Sequence, residues 1–283
     1  MASFTNFATL SYNGGTTNSN IVTGEILEAL TAVKTAVSAN YSAGDRITYA
    51  LSLVNTGTAA ITDYTVTDNL GGYTVGANTV YPLAYNAGTV RYYINGVLQT
   101  APTVTAGPPL TVTGLTVPAG GSAVLIYETT VTPVAPLATG SSITNTATIT
   151  GGGLTNPITA QATVETANSA DLTISKALSP TTVTENGRIT YTFVISNTGN
   201  TEATATGNVV VTDTFAPILR NIAVTYNGTA WTEGTNYTYN AATGVFTTLA
   251  GQITVPAATF TQNTDGTFTV TPGTATLVIT GTV

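Results

Sequence analysis

Apolar and polar residues alternate with period two along much of this chain. Ile47, Tyr49, Leu51 and Leu53 are interleaved with polar or small residues, as are Ile189, Tyr191, Phe193 and Ile195. Such alternation predicts strands with one face on a core and the other toward solvent. Asn-Gly pairs starting at Asn95, Asn186 and Asn227 predict hairpins or tight turns. Only Gly24–Val37 is dense enough in apolar residues to compete as a helix. Its repeat counterpart, Gln161–Leu178, is Thr-rich and β-like, so strand is the expectation there as well.

The pattern occurs twice. The run Arg46-Ile47-Thr48-Tyr49 through Asn55-Thr56-Gly57 returns as Arg188-Ile189-Thr190-Tyr191 through Asn197-Thr198-Gly199, an offset of 142 (188 − 46). Tyr64–Asp68 is answered by Val209–Asp213, and Gly121–Tyr127 by Gly273–Ile279. Repetition at this spacing indicates two copies of one all-β module. Short strands with frequent turns over ~100–130 residues predict an immunoglobulin-like sandwich for each copy.

The copies end differently. The first continues through Ser142–Ile149 and Ile158–Glu165, whereas the second stops at Val283, without a closing strand or strand pair. A spare copy of that strand lies at the other end, since Ser3–Leu10 repeats much of Ser142–Ile149 with conservative swaps at Phe4 and Leu10. The expected architecture is therefore all-β. An N-terminal donor segment (1–30), one strand or a hairpin, precedes one sandwich (31–168) and a second, incomplete one (169–283). A sandwich lacking its closing strand exposes a sheet edge and an apolar slot. A donor strand carrying Phe4, Asn6, Ala8 and Leu10 would fill that slot on a neighbouring molecule by β-strand addition. Folding back onto the same chain is the competing arrangement, limited by reach.

Composition narrows the chemistry. The 283 residues include 7% charged residues and a net charge of −7, with no His and no Cys. Six Lys and Arg spread along the chain cannot neutralise a run of phosphates, so nucleic acid is not an expected partner. Imidazole bases, thiolates, disulfides and most transition-metal sites are excluded. No cofactor is expected. Glu25, Glu28, Glu165 and Asp171 fit no calcium-loop spacing, so no metal is expected either. No segment approaches the ~20 apolar residues of a membrane span. Met1–Leu10 has neither the basic start nor the apolar run of a signal peptide.

The order Lys, Gly-Asp-x-Ile-Thr-Tyr, Asn-Thr-Gly, Val-Thr-Asp, Thr-Asn-x-Ala-Thr, repeated in both halves, resembles the conserved-repeat domain of prokaryotic surface proteins, the "domain of unknown function 11" family. The resemblance implies immunoglobulin-like stalk or surface-layer modules outside the cell or on a cell or spore surface. It also implies kinship with pilin domains that carry intramolecular Lys–Asn isopeptide bonds.

Strand parity supplies candidates for that bond. The chain has two lysines, Lys34 and Lys176, at equivalent repeat positions. Parity puts Lys34 with Leu30 and Ala32, and Lys176 with Leu172, Ile174 and Leu178. It puts Asp68 with Val66, Asp213 with Val211, Asn145 with Ala147, and Asn6 with Ala8. These are core-facing positions, costly for polar groups unless they meet. Burial disfavours both charges, so an amine and a carboxyl can be neutral together. The amine could then attack the asparagine amide with loss of ammonia.

The resemblance implies this bond for Lys34 and Asn145 with Asp68 assisting. For the second module it leaves Lys176 and Asp213 to be matched by Asn6 of another subunit. The plainer alternative is a buried Lys–Asp ion pair hydrogen-bonded to Asn. Glu128 is a rival acid in the first module, although Thr280 stands at its counterpart. Together these features predict a structural fibre subunit that partners itself head to tail, and not an enzyme. An adhesive module is the second reading, with Tyr81, Tyr85, Tyr92, Tyr93, Trp231, Tyr237 and Tyr239 facing a glycan or host protein. Sheet-face and turn packing is the commoner role for such residues.

Overall fold

The computed structural model describes residues 2–26 and 29–283. The fold is all-β: its one helical element among the described residues is a 3₁₀ turn at Ala205–Gly207. No helix among these residues is long and apolar enough to cross a membrane. Gly24–Val37 is strand on both sides of Leu27 and Glu28, which lie outside the described residues.

The first four strands form one long hairpin: β1 (Ala2–Asn6), β2 (Thr9–Tyr12), β3 (Gly15–Asn18) and β4 (Val22–Ile26). β1 pairs antiparallel with β4 and β2 with β3, and none of them joins another sheet. The tip is Asn13-Gly14, with φ of 47° and 79°. Two successive positive φ values match the right-handed twist of the flanking strands, and Asn-Gly adopts them readily.

The chain divides into two compact units, Met1–Ala135 with Ser142–Glu165, and Pro136–Ser141 with Thr166–Val283. In the first unit follow β5 (Leu30–Ala36), β6 (Asn40–Tyr41), β7 (Arg46–Asn55), β8 (Ile61–Asp68), β9 (Tyr73–Val75), β10 (Asn78–Val80) and β11 (Leu83–Tyr85). Then come β12 (Arg91–Ile94), β13 (Val97–Leu98), β14 (Thr103–Thr105), β15 (Leu110–Val117), β16 (Ser122–Val131), β17 (Ser142–Gly151) and β18 (Ile158–Thr166). One sheet has the order β13-β12-β16-β7-β5, with β11 also on β16; the other runs β14-β15-β8-β17-β18-β6. Tyr49, Leu51, Leu53 and Leu125 from the first sheet and Tyr64, Val66, Leu115 and Ile149 from the second are buried between them. The period-two residues thus form a sandwich core.

The second unit holds β19 (Leu172–Ser179), β20 (Arg188–Asn197), β21 (Thr212–Thr214), β22 (Arg220–Tyr226), β23 (Thr229–Trp231), β24 (Tyr237–Asn240), β25 (Val245–Thr248), β26 (Thr259–Gln262), β27 (Phe268–Thr271) and β28 (Gly273–Thr282). Its first sheet, β19-β20-β28-β22-β23, repeats the pairing of β5-β7-β16-β12-β13. The register repeats too, with Phe193 opposite Leu277 where Leu51 is opposite Leu125. The second sheet follows β14-β15-β8 as β24-β25-β21 and ends there. Among the described residues, nothing stands where β17 and β18 continue the sheet in the first unit. Val209–Val211 is not strand, although its counterpart Tyr64–Val66 is. β8 is paired along both edges, by β15 and β17, and this segment has no such support.

The repeated Asn-Thr-Gly is a loop fastener. Buried Asn55 donates through Nδ2 to the Ala59 carbonyl (2.8 Å) and the Pro118 carbonyl (3.0 Å), and its Oδ1 accepts the Gly57 N–H (2.9 Å). Asn197 donates likewise to Thr201 (2.8 Å) and Pro256 (3.0 Å) and accepts from Gly199 (2.9 Å). A Cβ at Gly199 would lie 2.2 Å from the Ser169 carbonyl oxygen, so only glycine fits. Replacing Asn197 by Ala strands these buried backbone groups. It should lower the stability of the second unit by about 1–3 kcal/mol, read by urea denaturation followed at Trp231.

Candidate functional site: two lysine–aspartate centres

In the first unit β5 places Lys34 opposite Leu51 of β7, with its side chain turned into the core. Its Nζ donates to Asp68 Oδ2 at 2.5 Å, and the two side chains are 0% and 1% exposed. Four further contacts hold this pair. Asp68 Oδ1 accepts the Leu70 N–H at 2.9 Å. The Tyr127 hydroxyl donates to Oδ2. The amine sits 4.8 Å from the Tyr49 ring centre and 5.9 Å from that of Tyr127, within cation–π range.

β17 delivers Asn145 to this layer by pairing with β8, where Ala147 stands opposite Asp68. Asn145 is fully buried, yet neither its amide oxygen nor its amide nitrogen has a hydrogen-bond partner. It lies within polar reach of the Tyr49 and Tyr127 hydroxyls without meeting hydrogen-bond geometry. The Tyr49 hydroxyl is also unpaired. Buried polar side chains are nearly always satisfied, which makes this cluster unusual.

Burial pulls the Lys34 amine from 10.5 down to about 8, with Asp68 opposing the shift through charge and hydrogen bond. Burial, reinforced by Asp68, pushes the Tyr49 and Tyr127 phenols well above their ordinary value. Glu128 faces outward and pairs at 3.7 Å with exposed Arg46. It takes no part in the lysine centre.

The second unit builds the same pair without the cover. Lys176 on β19 stands opposite Phe193, donates to Asp213 Oδ2, and lies 4.5 Å from the Tyr191 ring centre. Asp213 Oδ1 accepts the Thr214 N–H at 2.9 Å. Here the side chains are 40% and 18% exposed. Ile279 occupies the position of Tyr127. Lys34, Asp68 and Asn145 are thus buried, whereas Lys176 is open to solvent. Parity aims Lys176 at Asp213, but no strand lies over it. Asn6 stands opposite Val22 in the hairpin, exposed with its face-mates Phe4, Ala8 and Leu10. Beside the uncovered lysine runs an apolar groove of about 160 Å³ lined by Leu172, Ile174, Ile195, Val209, Val210 and Val211.

Several of the aromatic residues are engaged in packing within their own unit. Tyr92 is buried and accepts the Thr116 N–H at 2.8 Å; Trp231 stacks on Tyr226; Tyr239 donates to the Leu219 carbonyl at 2.8 Å. Tyr49 and Tyr127 were not singled out as site residues by sequence, although Tyr49 lies in the repeated Ile-Thr-Tyr and recurs as Tyr191.

No protein-family model matches the chain, and a search of curated proteins found no match. Among solved structures it is similar to the N-terminal domain of the Streptococcus gordonii adhesin Sgo0707 (14% identity, 48% of this chain, 32% of that chain, TM-score 0.36). It is also similar to the pilus backbone RrgB of Streptococcus pneumoniae (14%, 86% and 55%, TM-score 0.36). A third is the major pilin BcpA of Bacillus cereus (15%, 96% and 73%, TM-score 0.36). The chain spans about a third of the first structure's length and about half of the second's. At such TM-scores these likenesses decide nothing about function.

Two outcomes follow for the lysines. In the folded chain an amine-acetylating reagent should modify Lys176 and spare Lys34, as read by peptide mass spectrometry. As a free amine Lys34 has a folded value near 8 against 10.5 unfolded. The unfolded state then holds more protons between those values, so stability rises with pH through that window. From pH 7 to 9, where unfolded tyrosines of ordinary value about 10 are only slightly ionised, the gain in urea unfolding free energy should be about 1 kcal/mol.

Proposed function

We propose that this chain is a structural subunit of an extracellular fibre on a cell or spore surface. Copies join head to tail when the N-terminal hairpin of one enters the open edge of the second unit of the next. A single observation carries the reading. The second unit leaves Lys176 and Asp213 uncovered beside an apolar groove and an unpaired sheet edge. The same chain carries an unpartnered hairpin bearing the missing asparagine, Asn6. In the first unit the equivalent edge is closed by β17, which buries Asn145 near the two tyrosines that contact the equivalent pair. The contact joins two different surfaces, so it propagates instead of closing a dimer.

The chemistry proposed for the first unit is a Lys34–Asn145 isopeptide bond, and its support is the dry cluster of a depressed amine, a pinned carboxyl and an unsatisfied amide. The neutral Lys34 Nζ attacks Asn145 Cγ, and Asp68 carries the proton from Nζ to the departing Nδ2. A C–N bond forms, the Cγ–Nδ2 bond breaks, and ammonia leaves. Lys176, Asp213 and Asn6 of a neighbouring copy would repeat the step between subunits. Each centre reacts once, so the chain is not an enzyme in the ordinary sense.

Mixing two full-length variants tests this. Asn6→Ala keeps the acceptor, Lys176→Ala keeps the donor, and neither should form boiling-resistant ladders alone. Together they should give one covalent dimer, lighter than the sum of its parts by one ammonia, with Lys176 of one joined to Asn6 of the other. Wild-type chains should form ladders at high concentration. Monomers with free Lys34 and Lys176, or a Lys176–Asn6 bond confined to single chains, would overturn the proposal.

A further inference from the structure

The N-terminal hairpin and the closing hairpin of the first unit match over both strands. In the first unit Ser142 faces Glu165, Thr144 faces Thr163 and Asn145 faces Ala162. In the N-terminal hairpin Ser3 faces Glu25, Thr5 faces Thr23 and Asn6 faces Val22. The order and the register agree. Beyond Asn6 the second strand slips by one residue, since Thr9 faces Asn18. The slip falls where Ala8 and Ser19 exchange hydrogen bonds, Ala8 N–H to Ser19 Oγ at 2.9 Å and Ser19 N–H to the Ala8 carbonyl at 2.8 Å.

Both strands of the closing hairpin are engaged in the first unit. β17 pairs with β8, placing Ala147, Thr148 and Ile149 opposite Asp68, Thr67 and Val66. β18 lies beside β6; the Glu165 N–H donates to the Ala39 carbonyl at 2.9 Å, and Tyr41 is buried. The second unit holds a counterpart for each. The edge of β21 answers β8. Residues 181–183 answer 39–41 through the offset of 142, and they are not strand, with Val183 36% exposed where Tyr41 is buried.

We propose that the donated element is the whole hairpin, docked as a preformed two-stranded unit. Ala8, Thr9 and Leu10 come to lie opposite Asp213, Thr212 and Val211 of the accepting copy. β4 then lies along its residues 181–183, which become a strand only on assembly. This rests on the donor reading above and adds to it a register and a second contact. Donation of a lone strand would discard the β1–β4 pairing already made and leave residues 181–183 uncovered. A hairpin ordered before docking loses less conformational freedom on binding.

The chain has no cysteine, so introduced pairs report cleanly. In full-length chains carrying Thr9→Cys and Thr212→Cys, oxidation should link subunits, because opposed strand residues lie about 4.5–5.5 Å apart at Cα, within disulfide span. A Thr9→Cys, Thr214→Cys chain, shifted by two residues, should not link. In assembled wild-type material the amides of residues 181–183 should exchange at least about tenfold more slowly than in freshly diluted monomer. Assembly with the shifted pair linked overturns the register. Assembly with the correct link but fast exchange at 181–183 overturns hairpin donation in favour of a single strand. Absence of assembly in wild-type chains counts against the fibre reading itself.

Discussion

An amine held in a dry β-sandwich must be paired, and it must also be covered. In the first unit both conditions are met. Asp68 faces Lys34, Tyr49 and Tyr127 present their rings to it, and β17 shuts the sheet above it. Burial lowers the affinity of the amine for its proton, and the aspartate only partly restores it. In the second unit the pair survives and the cover does not, so the same residue types form an accessible ion pair of the kind that adds little to stability. The difference between the centres lies in the closing hairpin and in Ile279 standing where Tyr127 does, and not in the lysine or the aspartate.

That contrast explains how the rest of the second unit departs from the first. Val209–Val211 is not strand, and Ile174 and Leu178 of β19 are exposed, although the sequence alternates as it does in the first repeat. A period-two pattern specifies which face a side chain takes. Whether that face is buried depends on what packs on it.

Much of this was legible in the residues alone. The all-β class, the repeated strand order, and the inward aim of Lys34, Asp68 and Asn145 follow from periodicity and the 142-residue offset. Parity by itself is silent about cover; the openness around Lys176 and Asn6 was legible only from the unequal endings of the two repeats. Tyr127 escaped notice because its role depends on β16 lying against β7 with Tyr127 opposite Tyr49, a cross-strand relation with no local signature. Whether residues 1–30 form one strand or a hairpin was open in the sequence, and the turn made by positive φ at Asn13 and Gly14 decides for the hairpin.

Because β17 and β18 already occupy the edge of β8, the first unit has no vacancy of the kind found beside β21. On the donor reading proposed above, this chain would bring one hairpin and one open groove to a fibre. A fibre joined that way would not branch, and its two ends would differ chemically, one showing an unused hairpin and the other an unfilled groove. Lengthening at each end would then be a separate process with its own rate, and a capping molecule at either end would arrest growth there.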